Sequence, residues 1–341
     1  MDVSDLTDRL LFAIPKKGRL HEQVLKLLEG SDIQFVRKNR LDVALSTNQP
    51  LALVFLPAHD IAKFVGEGNV DLGITGQDMV AESGAYVEEL LSLGFGSCSL
   101  SFQAPLSASE TIRSPLDLVG KRIVTSFPYV VSKYFAALEA ELAQFPNGYT
   151  KEQGEQALKR AAEAAQPPTE HINHSNISTP TTQTRINYVS GSVEAACALG
   201  LADGIVDLVE SGETMRAAKL HAIGDILRTQ AVLVCNPNKR QTQPLIGTIL
   251  RRIQGVIAAQ RYVLCNYNIH RSRLPEAIKI TPGNKAPTIS NLEDLSNGVY
   301  EGWVAVSSMI EKKKQAEIMD QLDAVGASDI LVFNILNSRV V

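Results

Sequence analysis

Cysteine is sparse in this chain. Its four residues, Cys98, Cys197, Cys235 and Cys265, are far apart with no Cys-x-x-Cys pair, and no Lys/Arg-led apolar signal precedes the first strand-like run. Buried free thiols in a cytoplasmic protein are therefore expected. No apolar stretch approaches the ~20 residues of a membrane span, so a soluble protein with no membrane partner is expected. Positive charge is not in surplus either: 33 Lys and Arg face 37 Asp and Glu, a net charge of −4. A surface built to coat nucleic acid is disfavoured, and any phosphate binding must be local. Missing too are the Walker motif, a G-x-G-x-x-G after a strand, the kinase loops, a G-x-S-x-G elbow and H-E-x-x-H. Standard P-loop and Rossmann chemistry are thereby disfavoured.

What is present is ordinary globular composition, 45% hydrophobic and 21% charged over 341 residues, enough for two or three domains. The first part alternates strand-like and helix-like runs: "LLFAIP", "RLHEQVLKLLEG", "LALVFL", "AHDIAKFVGEG" and "VDLGITG". That alternation predicts a mostly parallel sheet covered by helices. After "CSLSFQAPL" a second α/β unit begins at "SPLDLVGKRIVTSFP", where Ser114, Pro115 and Asp117 form a capping box. We assign 1–106 and 215–240 to one α/β lobe and 107–214 to a second.

Within the second lobe, 145–184 reads as a polar insertion. Lys151–Gln166 has the composition of a solvated helix, and Pro167–Thr184 is too rich in Pro, Thr, Ser and Asn to bury much surface. His171 and His174 there lack the further ligands a metal site needs. The triplets at Asn173 and Asn176 are discounted as glycosylation sites without a secretory signal. From 241 the pattern changes to a long helix followed by strand, helix, strand, strand, helix, strand. That order is the ferredoxin-like α+β arrangement, on a C-terminal domain of 241–341.

Several strand-to-helix junctions are suited to anions. In "DLVESGETM", Ser211, Gly212 and Thr214 supply hydroxyls and backbone N–H groups where a helix begins. The plainer alternative is that Ser211 or Thr214 caps the helix and Gly212 makes the turn. "PKKGRL" puts Lys16, Gly18 and Arg19 at a strand's carboxyl end, with Arg19 offering a planar fork and Lys16 a point charge. Solvated surface charge is the alternative there. "GITGQD", "VTSFP" and "SGSVEA" repeat the device, the last with Glu194 in a helix's first turn. Recurrence across two units suggests a cleft for more than one phosphate-bearing molecule. Asp203 and Asp207 share a strand face by even spacing and suit ribose hydroxyls or a Mg²⁺ on the phosphates; pairing with a nearby Lys or Arg is the alternative.

Taken in order, "FAIPKKGRL", "VDLGITG", "GKRIVTSFP", "SGSVEA", "ADGIVDLVESGETM", "RIQGVIAAQRYV", "APTIS", "WVAVSSMI" and "GASDILVF" resemble the ATP phosphoribosyltransferase family in its long form. Only 145–184 goes unmatched. The resemblance implies two α/β lobes of periplasmic-binding-protein type with the active site in the cleft, plus a C-terminal regulatory ferredoxin-like domain. It implies the first step of histidine biosynthesis, in which N1 of ATP adenine displaces pyrophosphate from C1 of phosphoribosyl pyrophosphate. Asp203, Asp207, Glu210, Ser211, Gly212, Glu213 and Thr214 would then bind phosphoribosyl pyrophosphate. Lys16, Gly18, Arg19, Asp71, Thr75, Gly76 and Ser126 would serve ATP, with Lys16, Arg19 and Asp207 catalytic. Mg²⁺ would ride on the pyrophosphate near Glu194, and histidine would act as an effector at Thr288 and Ser328. A homo-oligomer from dimer to hexamer is implied. Two other readings stay open: a solute-binding module without turnover, and a phosphoribosyltransferase for another base. For the C-terminal domain the alternative is oligomerisation alone.

Overall fold

The computed structural model describes residues 6–37, 41–168, 179–240, 243–292 and 301–339. In chain order the first sheet's elements are β1 (Leu10–Pro15), α1 (His21–Gly30), β2 (Val43–Leu45), β3 (Leu51–Leu56), α2 (Ala58–Gly66), β4 (Leu72–Gly76), α3 (Gln77–Ser83) and β5 (Glu88–Ser92). There follow β6 (Cys98–Pro105), β7 (Arg122–Thr125), α4 (Pro128–Leu142), α5 (Lys151–Ala164), β8 (Arg185–Tyr188), α6 (Ala195–Ala198), β9 (Gly204–Val209), α7 (Glu213–Ala217), β10 (Leu220–Thr229) and β11 (Ala231–Cys235). The last are α8 (Pro244–Arg261), β12 (Tyr262–His270), α9 (Leu274–Ile280), β13 (Thr288–Asn291), β14 (Trp303–Glu311), α10 (Gln315–Ala324) and β15 (Ser328–Asn334). The chain divides into two compact units, Met1–Leu25 with Gln34–Gly247, and Lys26–Ile33 with Thr248–Val341.

The first unit holds two sheets, ordered β2-β3-β1-β4-β11-β5 and β10-β6-β9-β7-β8. In the first, β3, β1 and β4 run parallel, and nearly every residue of the central strands is buried, as expected for strands covered on both faces. Three parallel strands also run through the second sheet, β9, β7 and β8. Antiparallel neighbours make both sheets mixed rather than mostly parallel. The chain leaves the first sheet after β5 and regains it at β11, through 93–97 and through Gln230 alone.

That topology corrects the lobe boundaries read from sequence, which placed β6 and β10 with the first lobe. β6 and β10 pair antiparallel from Leu220↔Pro105 to Thr229↔Cys98, and β6 also pairs with β9, so both strands belong to the second sheet. The pairing partners lie over a hundred residues apart, beyond the reach of local pattern.

The polar insertion is corrected as well. α5 starts at a capping box of Thr150 and Gln153 and buries a face of small residues, Gly154, Ala157 and Ala161. This face joins the core that α4 builds with Phe102, Tyr134 and Phe135. Arg160 reaches Glu141 of α4 at 2.7 Å, and Lys133 donates to the Gln166 carbonyl at 3.3 Å. Thr184 at the far end is buried, bonded to Glu139 and Gly120. His171, His174, Asn173 and Asn176 lie outside the described residues.

In the second unit the sheet order is β13-β14-β12-β15, antiparallel throughout. β12 and β14 alternate buried and half-buried residues along their length, turning Val263, Cys265, Tyr267, Ile269, Val304 and Val306 into one core beneath α9 and α10. The connection order and sheet order together are those of a ferredoxin-like α+β fold.

Candidate active site

At the end of β9 the apolar run stops, and Glu210, Ser211 and Gly212 turn the chain into α7. Gly212 carries φ +73°, a left-handed conformation that strains any residue with a Cβ, and a Cβ there would also meet Arg216 Nη1 at 2.8 Å. The Ser211 hydroxyl accepts from Glu213 N at 3.3 Å. Ser211, Glu213 and Thr214 are nonetheless exposed, so the loop keeps its donors toward solvent.

This loop edges a cleft of about 360 Å³ that Arg19, Gln103, Glu194 and Asp207 also line. A second cleft of about 400 Å³, lined by Gln77, Cys98, Ser99, Arg228 and Thr229, shares Val209 and Glu210 with the first. This second cleft opens beside the two chain crossings between sheets, with Ser97 and Gln230 in its lining. Arg19 comes from the turn after β1, stands 3.8 Å from Glu210, and keeps its side chain 32% exposed. Burial acts against its charge, but bonding to Cys98 and the charges of Asp78 and Glu210 outweigh that and push the guanidinium up. Burial also pushes the Cys98 thiol up, so it is no ready nucleophile. The Asp207 carboxyl is raised, first by burial and then by Glu194, while its bond from Leu208 N opposes the shift. An Asp207 carboxyl raised by burial and by the neighbouring Glu194 charge favours a cation beside it. Among the described residues no group of three or more His, Cys, Asp or Glu could cage a metal. The donor set thus fits a Mg²⁺ that brings most of its own oxygen ligands.

The family profile "ATP phosphoribosyltransferase" matches residues 57–255, more than half of the chain. The chain belongs to the ATP phosphoribosyltransferase family. It is thus a phosphoribosyltransferase, an enzyme of the glycosyltransferase type, in the pathway to histidine. A second profile, "HisG, C-terminal domain", matches 259–337 and accords with the long form. ATP phosphoribosyltransferase of Yarrowia lipolytica is 53% identical over 338 residues, 99% of each chain, and that of Saccharomyces cerevisiae is 50% identical over the same length and shares. Among solved structures, the ATP phosphoribosyl transferase (HisG:HisZ) complex from Thermotoga maritima aligns with TM-score 0.54 at 22% identity, covering 74% of this chain and 98% of that one. This last likeness concerns the fold.

Other residues expected of an ATP phosphoribosyltransferase site fall in different places. Asp203 precedes β9 at the end opposite the loop, about 13 Å from Asp207 at ~3.3 Å per residue. There it pairs with Arg122 at 2.9 Å and accepts from the Arg122 backbone at 3.0 Å; the alternative of a structural ion pair is the one observed. Asp71 likewise precedes β4, buried, accepting from Leu11 N at 2.8 Å with Lys239 at 3.4 Å. Thr75 is fully buried and donates to the Ala58 carbonyl. Gly76 leaves room for the Asp78 carboxylate, which a side chain there would overlap. Ser126 is half-buried at the end of β7, outside both clefts. Lys16 is held by Asp42 at 2.8 Å, and Gly18, exposed at φ +92°, turns the chain toward Arg19. Thr288 and Ser328 lie on the two opposite edge strands of their sheet, three strand spacings or about 14 Å apart. They cannot share a small ligand within one subunit.

Sequence reasoning missed the second cleft. Cys98, Ser99, Arg228 and Thr229 meet only because β6 and β10 are partners, a pairing with no short-range signal. It also missed Glu82 of α3, whose carboxylate accepts from Tyr129 N and Val130 N at 3.0 Å each and so fills the N-terminus of α4.

Proposed function

We propose that this enzyme joins N1 of the ATP adenine to C1 of phosphoribosyl pyrophosphate and releases pyrophosphate, the first step of histidine biosynthesis, under feedback inhibition by histidine. The observation that carries this reading is the pair of clefts meeting at Val209 and Glu210. Two substrates held side by side there have their reacting atoms brought together, which replaces a bimolecular encounter with a positioned one.

In this reading the Ser211–Thr214 loop receives the 5-phosphate on backbone N–H groups and hydroxyls, and Gly212 permits the close approach. Asp207 accepts the ribose hydroxyls. Arg19 leaves its long contact with Glu210 for a substrate phosphate, and Lys16 would have to leave Asp42 to assist. ATP lies in the neighbouring cleft beside Gln77, Ser99 and Arg228. The N1 lone pair forms the new bond to C1, and the C1–O pair departs with pyrophosphate. No side chain need remove a proton from N1, so charge placement supplies the catalysis. Mg²⁺ carried by the pyrophosphate would sit near Glu194 and Asp207 and neutralise the leaving group.

The C-terminal unit would bind histidine. Because Thr288 and Ser328 occupy opposite edges, both would contact one histidine only where edge strands of two subunits meet, in a dimer or hexamer. Coupling of about 1–3 kcal/mol would suffice for feedback. The test is to incubate the protein with ATP, phosphoribosyl pyrophosphate, Mg²⁺ and pyrophosphatase, and to weigh the products with and without histidine. Phosphoribosyl-ATP that histidine suppresses is expected. Product indifferent to histidine removes the regulatory role, and no product from a folded sample removes the enzyme reading.

A further inference from the structure

A groove of about 590 Å³ opens on the second sheet's outer layer, between α4, α5, the turn at Pro115–Leu118 and β10, and shares no residue with either substrate cleft. Its volume lies in the ordinary range for small-molecule sites. The wall is apolar, built from Pro115, Leu116, Leu158 and Ile223. Gly154 and Gly224 shape it: a Cβ on Gly154 would press on Leu116 and Tyr149, and one on Gly224 would meet Pro115 at 2.8 Å.

Tyr134 reaches this groove from α4. The residue is 2% exposed, its ring is packed against Phe102 and Phe135, and its hydroxyl has no hydrogen-bond partner among the described residues. A tyrosine hydroxyl on a cavity wall with no internal partner is free to bond a polar group that enters the groove. The charges at the rim do not cancel. Lys151 stands 3.8 Å from Glu155, and Asp225 accepts from Ser101 at 2.5 Å. The Asp117 carboxylate is engaged by the backbone N–H groups of Arg113 and Ser114. Arg113, Lys151 and Lys159 thus face the carboxylates of Glu155 and Asp225, an excess of one positive charge on the groove, and among the described residues Arg113 and Lys159 form no ion pair.

We propose that this groove is a second ligand site, for a small aromatic acid: rings against Leu116, Leu158 and Ile223, a polar atom on the Tyr134 hydroxyl, and the anionic group between Arg113 and Lys159. A ligand there would bridge α5 to the sheet and stiffen the second lobe without touching the substrate clefts.

The probe is 8-anilino-1-naphthalenesulfonate, titrated by fluorescence into the full chain, with uncharged N-phenyl-1-naphthylamine as its comparison. One saturable site is expected, unchanged by ATP. Leu158→Trp should fill the groove and weaken the probe at least tenfold. The double variant R113Q/K159Q, at exposed positions, should weaken the sulfonate about fivefold or more and leave the uncharged amine unchanged. Tyr134→Phe should weaken both probes a few-fold. Affinity indifferent to both the Trp and the double variants would overturn the proposal, as would competition by ATP, which would place the probe in the substrate clefts.

Discussion

The junctions after β4 and after β9 look alike in sequence, "GITGQD" and "ESGETM", each ending a buried strand with glycine and hydroxyl residues before a helix. In the fold they differ. After β4 the fold itself takes the polar groups: Thr75 donates to Ala58, Asp78 N donates to Thr229 Oγ1 and the Thr229 hydroxyl donates to Asp78. The junction after β7 is similar, its helix N-terminus filled by Glu82. After β9 the loop is exposed and edges a cleft. An anion-friendly sequence becomes an anion site only where no internal carboxylate or carbonyl has already claimed its donors.

Kinetics should separate these junctions most strongly. Arg19→Ala and Thr214→Ala, at the open cleft, should each lower kcat/KM by about 10²–10³, the scale of losing one donor to developing charge. Thermal melting should hardly move, because both side chains are exposed or nearly so. Near-normal kinetics in either variant would take that residue out of the site.

Glu82 gives the next effect, and it is a matter of pH. Burial raises its carboxyl to about 7, against the two backbone N–H bonds that favour the ion. The folded protein therefore holds this proton more tightly than the unfolded chain, whose ordinary value is 4.5. Its contribution to stability is complete below that ordinary value and is lost as pH rises through about 7. At ~1.36 kcal/mol per unit the loss is at most about 3 kcal/mol. Melting temperatures of wild type should fall between about pH 4.5 and 7, and Glu82→Gln should flatten that fall; equal slopes in both proteins would refute the assignment.

Thr75→Val should cost about 1 kcal/mol by removing a buried hydroxyl's bond to Ala58, measured in urea, with turnover within twofold. A kinetic defect larger than its stability defect would return Thr75 to the substrate site.

How far the chain could be read without coordinates follows from the range of each signal. The β9–α7 loop was legible because strand, glycine and capping hydroxyls lie within nine residues. The ferredoxin-like unit was legible because its elements alternate clearly and are contiguous. Asp203 and Asp207 show where local reading stops. Even spacing puts them on one strand face, but only the pairing of β9 with β7, which sets Arg122 beside Asp203, decides which end of the strand meets the cleft. The same holds for β6 and β10, and for α5, whose burial depends on three small residues meeting α4 rather than on its own polar composition.

Asp203 supplies the smallest test of the comparison. Its partner Arg122 and the Asp203 carboxylate are both partly open to water, so the pair is of the exposed kind, worth about 0.2–1 kcal/mol. The bond to Arg122 is the first cause that holds the Asp203 carboxyl below its usual range, so this small contribution is present at neutral pH and fades as acid protonates it. Asp203→Asn should therefore lower stability within that range, more at low salt than at high, and leave the KM for phosphoribosyl pyrophosphate unchanged. Asp207→Asn, four residues along the same strand face, should raise that KM or lower kcat clearly. If the two variants behaved alike in kinetics, position along the strand would not be what distinguishes a structural carboxylate from a substrate-facing one, and the contrast between open and occupied junctions would lose its support.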